Sequence, residues 1–458
     1  MVNLDSQGKK HMSRPATIYF PVESKARELA SRLLITRSLL PHGHKVVVGF
    51  NDTVVSGSRW WPRGVYFLKG MNAVQKRMAS IFRRQGYRVI AIDEEALGIC
   101  DAWFLTKDVD PEIAPLLEIV FCQGGNHLDA LAAHRGFTKE QLVESGNPRI
   151  DLLKAPLKST LDKEAAYIKE RFGRFILINT NSGSINNIWG DLRRYLGLLV
   201  EIGWFDPENA DDRALVDDHL EHDRNNFGAL RELMENLSGR RPDISVVVRP
   251  HPSEGSGVWA EFAEKLSNVT IVSDTEPAPW LWAADIVLTT GCTTGLEAVL
   301  LGKPAVSLVA QPDHVRHPGF FIANRISVVA PAVSEAVQLL EDHWDGKVDV
   351  AKIEEKTRAA ALANHMRVDN GILASDRIAR EIAERGFEGA DDHRDVAIDP
   401  EHENYLRKTI KKVKWEKGSF TAAEIRDWLQ LFDSLLGAKQ HVEIREMGWS
   451  SFELSSPS

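Results

Sequence analysis

The chain has 458 residues, 43% hydrophobic and 26% charged, a balance that supplies a large core and excludes disorder as the dominant state. A formal net charge of −9 argues against nucleic acid as the main partner. The three cysteines (Cys100, Cys122, Cys292) are too few for a disulfide framework and form no C-x-x-C pair. No stretch reaches the roughly 18 apolar residues of a membrane-spanning helix. The first residues are polar and lack the apolar centre of a secretory signal, so a reduced, cytoplasmic setting is expected. His11-Met12 reads as a vector-derived junction, and the fold reading starts at residue 13.

Short β-branched runs then alternate with helical-period segments, the pattern of parallel sheets covered by helices. The first strand is 17–21, followed by a helix over 24–40 with Leu29, Leu33 and Leu40 at helical spacing. Further strands are expected at 45–50, 65–68, 87–92 and 118–121, with a helix over 71–84 closed by Gly86. This first α/β domain spans 13–150. A charged helical connection leads to a second α/β domain over 171–390, with strands at 175–179, 244–249, 269–273, 285–289 and 305–309. Its insertion over 207–239, dense in Asp, Glu and Arg, reads as a solvated helical face. Helices fill 334–385, and 391–458 is expected to be a helical tail.

The most informative stretch is Asp285–Leu308, which reads as strand, small-residue turn, helix, glycine stop, strand. Gly291 and Gly295 allow a tight turn with close backbone approach. Thr293 or Thr294 can cap the helix, whose first amides and dipole suit a phosphate; Cys292 lies within this turn and Glu297 just beyond it. The bland reading is an ordinary capped turn. A second stretch, Arg249-Pro-His-Pro-Ser-Glu254, ends a strand with Arg249, His251, Ser253 and Glu254. Alternation puts Arg249 and His251 on one side, where a permanent charge and a group that titrates near neutrality can meet a phosphate. The alternative is a rigid loop with an exposed histidine.

Other strand ends carry carboxylates. Glu23 follows the first strand, with Arg27 and Glu28 on the next helix, and Asp93, Glu94 and Glu95 follow the strand over 87–92. At a parallel strand end such a group faces the interdomain cleft and can take a proton from an acceptor hydroxyl; a plain salt-bridge cluster is equally open. Gln123-Gly-Gly125 reads as turn chemistry, whereas Asn181 and Ser182, in the turn that opens the second domain, can line the cleft. The basic helix from Arg407 to Lys417 either packs on the first domain or touches an acidic membrane surface. No D-x-D turn stands at a strand end, which fits a site without metal.

Five spaced motifs resemble those of the bacterial surface carbohydrate biosynthesis proteins, GT-B-like relatives of capsule-polysaccharide glycosyltransferases. They are Phe20-Pro-Val-Glu-Ser-Lys-Ala-Arg-Glu28, Ile92-Asp-Glu-Glu95, Gly146-Asn-Pro-Arg-Ile-Asp151, Arg249-Pro-His-Pro-Ser-Glu254 and Gly291-Cys-Thr-Thr-Gly-Leu-Glu297. The resemblance runs from about Ile18 to Val309. It implies two Rossmann-like domains facing a cleft, an acceptor side first and a nucleotide-sugar donor side second. By motif, His251 and Pro252 match a His-Pro element and Thr293 with Thr294 a Ser/Thr element that hold the nucleotide of a CMP-activated acidic sugar. Glu297 sits where such enzymes place an acid on the donor ribose. The family's catalytic carboxylate has no matching motif here.

The expected activity is metal-independent transfer of a sugar to a glycan or lipid-linked acceptor in capsule or lipopolysaccharide assembly. The preferred donor is a CMP-linked ulosonic acid (Kdo or a nonulosonic acid), bound as substrate with no further cofactor. Setting is cytoplasmic, with peripheral contact at the inner membrane face. Alternatives are a nucleotide-sugar 2-epimerase of the same fold and a non-catalytic sugar-nucleotide-binding protein.

Overall fold

The computed structural model describes residues 15–134, 136–273, 276–369, 371–387 and 419–457. A first series of strands comprises β1 (Thr17–Val22), β2 (Lys45–Phe50), β3 (Val65–Leu68), β4 (Arg88–Ile92), β5 (Ile119–Cys122) and β6 (Leu142–Glu144). A second comprises β7 (Ile176–Asn179), β8 (Val246–Arg249), β9 (Val269–Ile271), β10 (Ile286–Thr289), β11 (Ala305–Leu308) and β12 (Val328–Ala330). Two more strands, β13 (Glu443–Gly448) and β14 (Ser451–Ser455), lie near the C-terminus.

The chain folds into two compact units. The first joins residues up to Glu94, Val109–Leu152 and Arg367 onward; the second joins Glu95–Asp108 to Leu153–Met366. The chain therefore changes unit more often than the contiguous ranges read from sequence. The helix Ala374–Arg385, expected in the second domain, belongs to the first. Asp151 explains why: its buried carboxylate accepts the Ala374 and Ser375 amides, both at 3.0 Å, at that helix's N-terminus. Gly146 opens the same motif at φ +79°, and a Cβ there would stand 2.8 Å from the Arg367 carbonyl. The motif Gly146–Asp151 thus docks the returning chain.

In the first unit, the sheet order is β13-β14-β2-β1-β3-β4-β5-β6, parallel throughout β1 to β6. Every residue of β1, β3 and β5 is buried, as expected of unbroken apolar runs covered on both faces. β14 runs antiparallel to β2, pairing Phe452 with Val48, and so covers an edge that would otherwise be open. The C-terminal stretch has the expected helix, Ala422–Leu436, started by a capping box of Thr421 and Glu424. The strand pair beyond it is an addition to the helical reading; β13 is largely exposed and lacks an apolar alternation. The Arg407–Lys417 segment lies outside the described residues.

The second unit has the order β12-β11-β10-β7-β8-β9, all parallel. Read from β9 this is the Rossmann order, which reverses between β7 and β10; in the first unit the reversal falls between β1 and β3. The insertion is one 31-residue helix, Ala210–Arg240, and it is not a solvated face. Ala229, Leu230, Leu233, Met234 and Leu237 pack with Val246, Val248 and Ile286 in the core. Its N-terminal half buries Leu215, His222, Asp223 and Asn226 instead. Counting charge along the segment averaged two faces that the helix separates.

Candidate functional site

Ligands of open α/β sheets bind beyond the carboxyl ends of the strands where the order reverses. In the second unit that position is bounded by the turn after β7, Thr180–Ser184, and by the turn Thr290–Cys292 before the helix Thr293–Leu300. Sequence reading chose both turns, and the topology brings them side by side. The register pairs Ile178 with Leu288, so Asn179 and Thr289 end adjacent strands.

Several polar atoms here are buried with no hydrogen-bond partner among the described residues: Asn179 Nδ2, Ser182 Oγ, Thr289 Oγ1 and Thr290 Oγ1. All four residues are at most 3% exposed, so solvent does not compensate them. Gly291 has φ +97°, and a Cβ there would stand 2.7 Å from Asn324 Nδ2. Gly295 lets the helix close on its neighbour, since a Cβ would lie 2.9 Å from that of Ala323. The Cys292 Sγ lies 2.7 Å from Thr294 Oγ1, and burial pushes its thiol pKa up. Thr293 and Thr294 are half-buried. The turn Glu95–Gly98 covers the Thr293 side, with Gly98 close enough that a Cβ would meet Thr293 Oγ1 at 3.0 Å. Thr294 is thus left half-buried at the helix start, and Thr290 is buried. Glu297 is buried on the first turns of this helix.

The loop after β8 packs directly on the turn after β7. A Cβ on Gly183 would fall 2.2 Å from Ser253 Oγ, so only glycine fits. Ser253 donates to His251 Nδ1 from both its hydroxyl, at 2.7 Å, and its amide, at 3.2 Å. With Nδ1 accepting, the neutral ring carries its proton on Nε2, and His251 is exposed. Arg249 differs from expectation. It is buried, its Nη1 lying 3.4 Å from Asn179 Oδ1, and it does not share an open surface with His251. A side chain leaving the last strand position points into the sheet's layer, whereas His251 lies past a proline that redirects the chain.

Glu254 closes the same motif, and sequence reading missed its importance. Its buried carboxylate accepts the Thr180 hydroxyl at 2.5 Å, the Ser182 amide at 3.0 Å and the Trp259 indole at 2.8 Å. Asp223 clamps the other end of the turn, accepting the Ser184 hydroxyl at 2.6 Å and its amide at 3.1 Å. Neighbouring His219 and His222 with these donors outweigh burial and hold the Asp223 pKa at about 2. Two carboxylates thus fix the β7 turn and use the Ser182 and Ser184 amides, which are not available to a phosphate. One signal for Asp223 was present: Leu215, His219, His222 and Asn226 recur at steps of three and four, and Asp223 follows His219 by four.

In the first unit the reversal lies between β1 and β3, and Glu23 and Lys69 follow those strands as an ion pair. They border a small pocket lined by Pro21, Asn51, Tyr66, Gln75 and Met78. Glu28, buried behind them, accepts the Glu23 amide at 2.8 Å, and burial raises its pKa. The three carboxylates 93–95 do not act together. Glu94 is buried between Arg32, at 3.2 Å, and Arg149, at 3.7 Å, and so is paired with two guanidiniums. Asp93 is buried beside it in sequence, and Glu95 is exposed and begins the second unit's short segment. Gln123 is buried, and its carbonyl accepts the Arg367 amide at 2.8 Å, a structural role.

Among the described residues, no group of three or more His, Cys, Asp or Glu side chains is placed to hold a metal ion. Likewise none of their helices is long and apolar enough to cross a membrane.

This arrangement defines a GT-B-like fold of two Rossmann-like units. No family model matches the chain, and no curated protein matches it. Solved structures do. A single-residue variant of the wall teichoic acid polymerase TagF matches with a TM-score of 0.51 and 10% identity, over 87% of this chain and 91% of that one. The UDP-GlcNAc 2-epimerase of Methanocaldococcus jannaschii, in complex with UDP-GlcNAc and UDP, matches at 0.49 and 12%, over 80% and 99%. The Neisseria meningitidis UDP-GlcNAc 2-epimerase bound to UDP-GlcNAc matches at 0.46 and 14%, over 80% and 99%. At these identities the likeness is one of fold.

Proposed function

We propose that the chain is a GT-B-type glycosyltransferase. It binds a nucleotide-activated sugar at the carboxyl edge of its second sheet and passes the sugar to a hydroxyl of a bacterial surface glycan. The observation that carries this reading is the set of buried, partnerless polar groups on Asn179, Ser182 and Thr290 where the strand order reverses. Leaving such groups unsatisfied costs about 1–3 kcal/mol each, a cost that a ligand's hydroxyls and phosphate oxygens would remove. The exposed His251 and the amides at the start of the helix Thr293–Leu300 add donors for a leaving phosphate.

The preferred donor is a CMP-linked ulosonic acid. Glu254 and Asp223 place two carboxylates under the turn after β7, against the single guanidinium of Arg249 beside Asn179. A single phosphate suits this edge better than a diphosphate. Glu23, half-exposed at the pocket by the first unit's own strand reversal, is the candidate base for the acceptor hydroxyl; Glu94 is set aside because it is buried between two arginines.

Calorimetry and thermal melting with CMP, UMP and UDP test the reading, since a ligand of the native state raises apparent stability. CMP is expected to bind and to raise the melting temperature more than UDP does. If none of the three binds, the proposal fails. Incubation with UDP-GlcNAc alone separates the epimerase: epimerised product without acceptor would replace transfer by epimerisation. Binding without turnover of any donor would leave a sugar-nucleotide-binding protein.

A further inference from the structure

The C-terminal strand pair has so far served only to cover a sheet edge, yet it also delivers a turn to the strand ends. β14 runs antiparallel to β2, so the turn between β13 and β14 falls at the carboxyl end of β2, next to the β1 and β3 ends that carry Glu23 and Lys69. The register fixes this placement: Ser451 pairs with Gly49, and the Phe50 amide donates to the Ser450 carbonyl at 2.8 Å. A Cβ on Gly448 would stand 3.2 Å from Thr53 Cγ2, so the turn rests on the start of the helix Asn51–Gly57. Asn51 of that helix lines the pocket bordered by Glu23 and Lys69.

Two-residue hairpin turns favour Asn, Asp and Gly, which accept a positive φ readily. Here the two residues are Trp449 and Ser450, and Ser450 takes φ +47°. Phe420 holds it there: its amide donates to the Ser450 hydroxyl at 2.8 Å, and that hydroxyl donates to the Phe420 carbonyl at 3.1 Å. Such a conformation costs on the order of 1 kcal/mol or more and persists where the surroundings enforce it. What the turn presents is an indole. Trp449 is 40% exposed, and the Phe50 ring meets it nearly at right angles with centroids 5.2 Å apart, which props the indole plane.

The polar groups beside it are of the kind that bind sugar hydroxyls. Asn51 Nδ2 donates to Asp52 Oδ1 at 3.2 Å. Asp52 is half-buried and close enough to Glu23 that like charge adds to burial in raising its pKa. Lys69 is paired with Glu23. An acidic or phosphorylated ligand would meet two carboxylates here against one paired ammonium. A neutral sugar offers the carboxylates hydroxyls and the indole an apolar face. β14 and β1 stand two strand spacings apart, about 10 Å, the span of a disaccharide.

We propose that Trp449 and Phe50, with Asn51 and Asp52, form a saccharide subsite of the first unit, in which the indole stacks on one ring of a neutral glycan while the next ring's hydroxyl reaches Glu23. Trp449 is a binding and specificity residue, supplied by the C-terminal tail. The inference rests on the reading of Glu23 as the base for the acceptor hydroxyl.

The full chain labelled with 5-fluorotryptophan tests it. Trp449→Phe removes one fluorine resonance and so assigns it. Cellobiose and N,N′-diacetylchitobiose are added at about 10 mM, where a millimolar affinity fills most of a site. At least one of them should move the Trp449 resonance, and glucose 6-phosphate at the same concentration should not. Saturation-transfer spectra should show disaccharide affinity about tenfold weaker in Trp449→Ala and partly recovered in Trp449→Phe, which keeps a ring and guards against a misfolded turn. A Trp449 resonance that neither disaccharide moves overturns the subsite, and so does undiminished binding in both variants. A response to phosphatidylglycerol vesicles without one to sugars would assign the indole to a membrane surface and overturns it too, while an equal response to glucose 6-phosphate refutes the neutral class. Binding of CMP, UMP or UDP to the unsubstituted chain keeps the two readings apart. Nucleotide binding with a silent Trp449 would remove the subsite alone; a sugar response without any nucleotide binding would remove the transferase reading and leave the subsite.

Discussion

Acidification should weaken the second unit through His317, and the size of the effect follows from its surroundings. The ring is buried among Phe104, Phe320 and Phe321, with His219 and His222 adding like charge when protonated and Asp218 and Asp223 opposing them. Desolvation dominates and holds the folded pKa at about 4, against an unfolded value near 6.5. Between these values the unfolded chain binds the extra proton. The contribution is therefore fully present above about pH 6.5 and is lost as pH falls toward about 4. At about pH 5 the loss amounts to about 2 kcal/mol, at roughly 1.4 kcal/mol per unit over about 1.5 units. Urea unfolding of the wild type and His317→Phe at about pH 7 and about pH 5, read through tryptophan fluorescence, measures it. Phenylalanine keeps the ring packing and removes the titration, so the variant should lose about 2 kcal/mol less over the same interval. His219 and His365 have pKa values lowered by burial and contribute a remaining slope in both proteins. Equal slopes for the two proteins would refute the assignment to His317.

Thr290→Val replaces a buried, partnerless hydroxyl by an isosteric methyl. It should leave the melting temperature unchanged or raised, while CMP affinity measured by calorimetry falls about tenfold. A fall in stability would show that the hydroxyl has a partner within the protein. His251→Ala should weaken CMP binding with little change in melting temperature, because the residue is exposed; unchanged affinity would remove His251 from the phosphate site. Gly291→Ala combines a left-handed φ of +97° with a 2.7 Å approach to Asn324 Nδ2, so it should cost about 1–3 kcal/mol or more in denaturant unfolding. A neutral result would mean that the turn readily changes conformation.

Both α/β units and ten of the strands were legible because buried parallel strands are unbroken apolar runs. β6 and β12, at three residues each, were not, nor was the C-terminal pair β13 and β14, of which β13 has no apolar alternation. The turns Asn181–Ser184 and Gly291–Thr294 were legible from small polar residues at strand ends. Glu254 and Asp223 were not recognised as clamps. One was overshadowed by the histidine three residues before it, and the other lay in a segment whose average charge suggested solvent. Arg249 shows the opposite error: its type suggested an open phosphate contact, yet its position at the last residue of β8 buries it against Asn179.

The order of residues alone determined where helices and strands form and which turns are small and polar enough to admit a phosphate, since these depend on contacts a few residues apart. Tertiary structure decided which strand ends lie side by side. It also returned residues from Arg367 onward to the first unit and turned His219, His222, Asp223 and His317 inward onto one another. Those outcomes depend on strand order and on the pairing of residues about a hundred positions apart, whose spacing leaves no periodic trace in the chain.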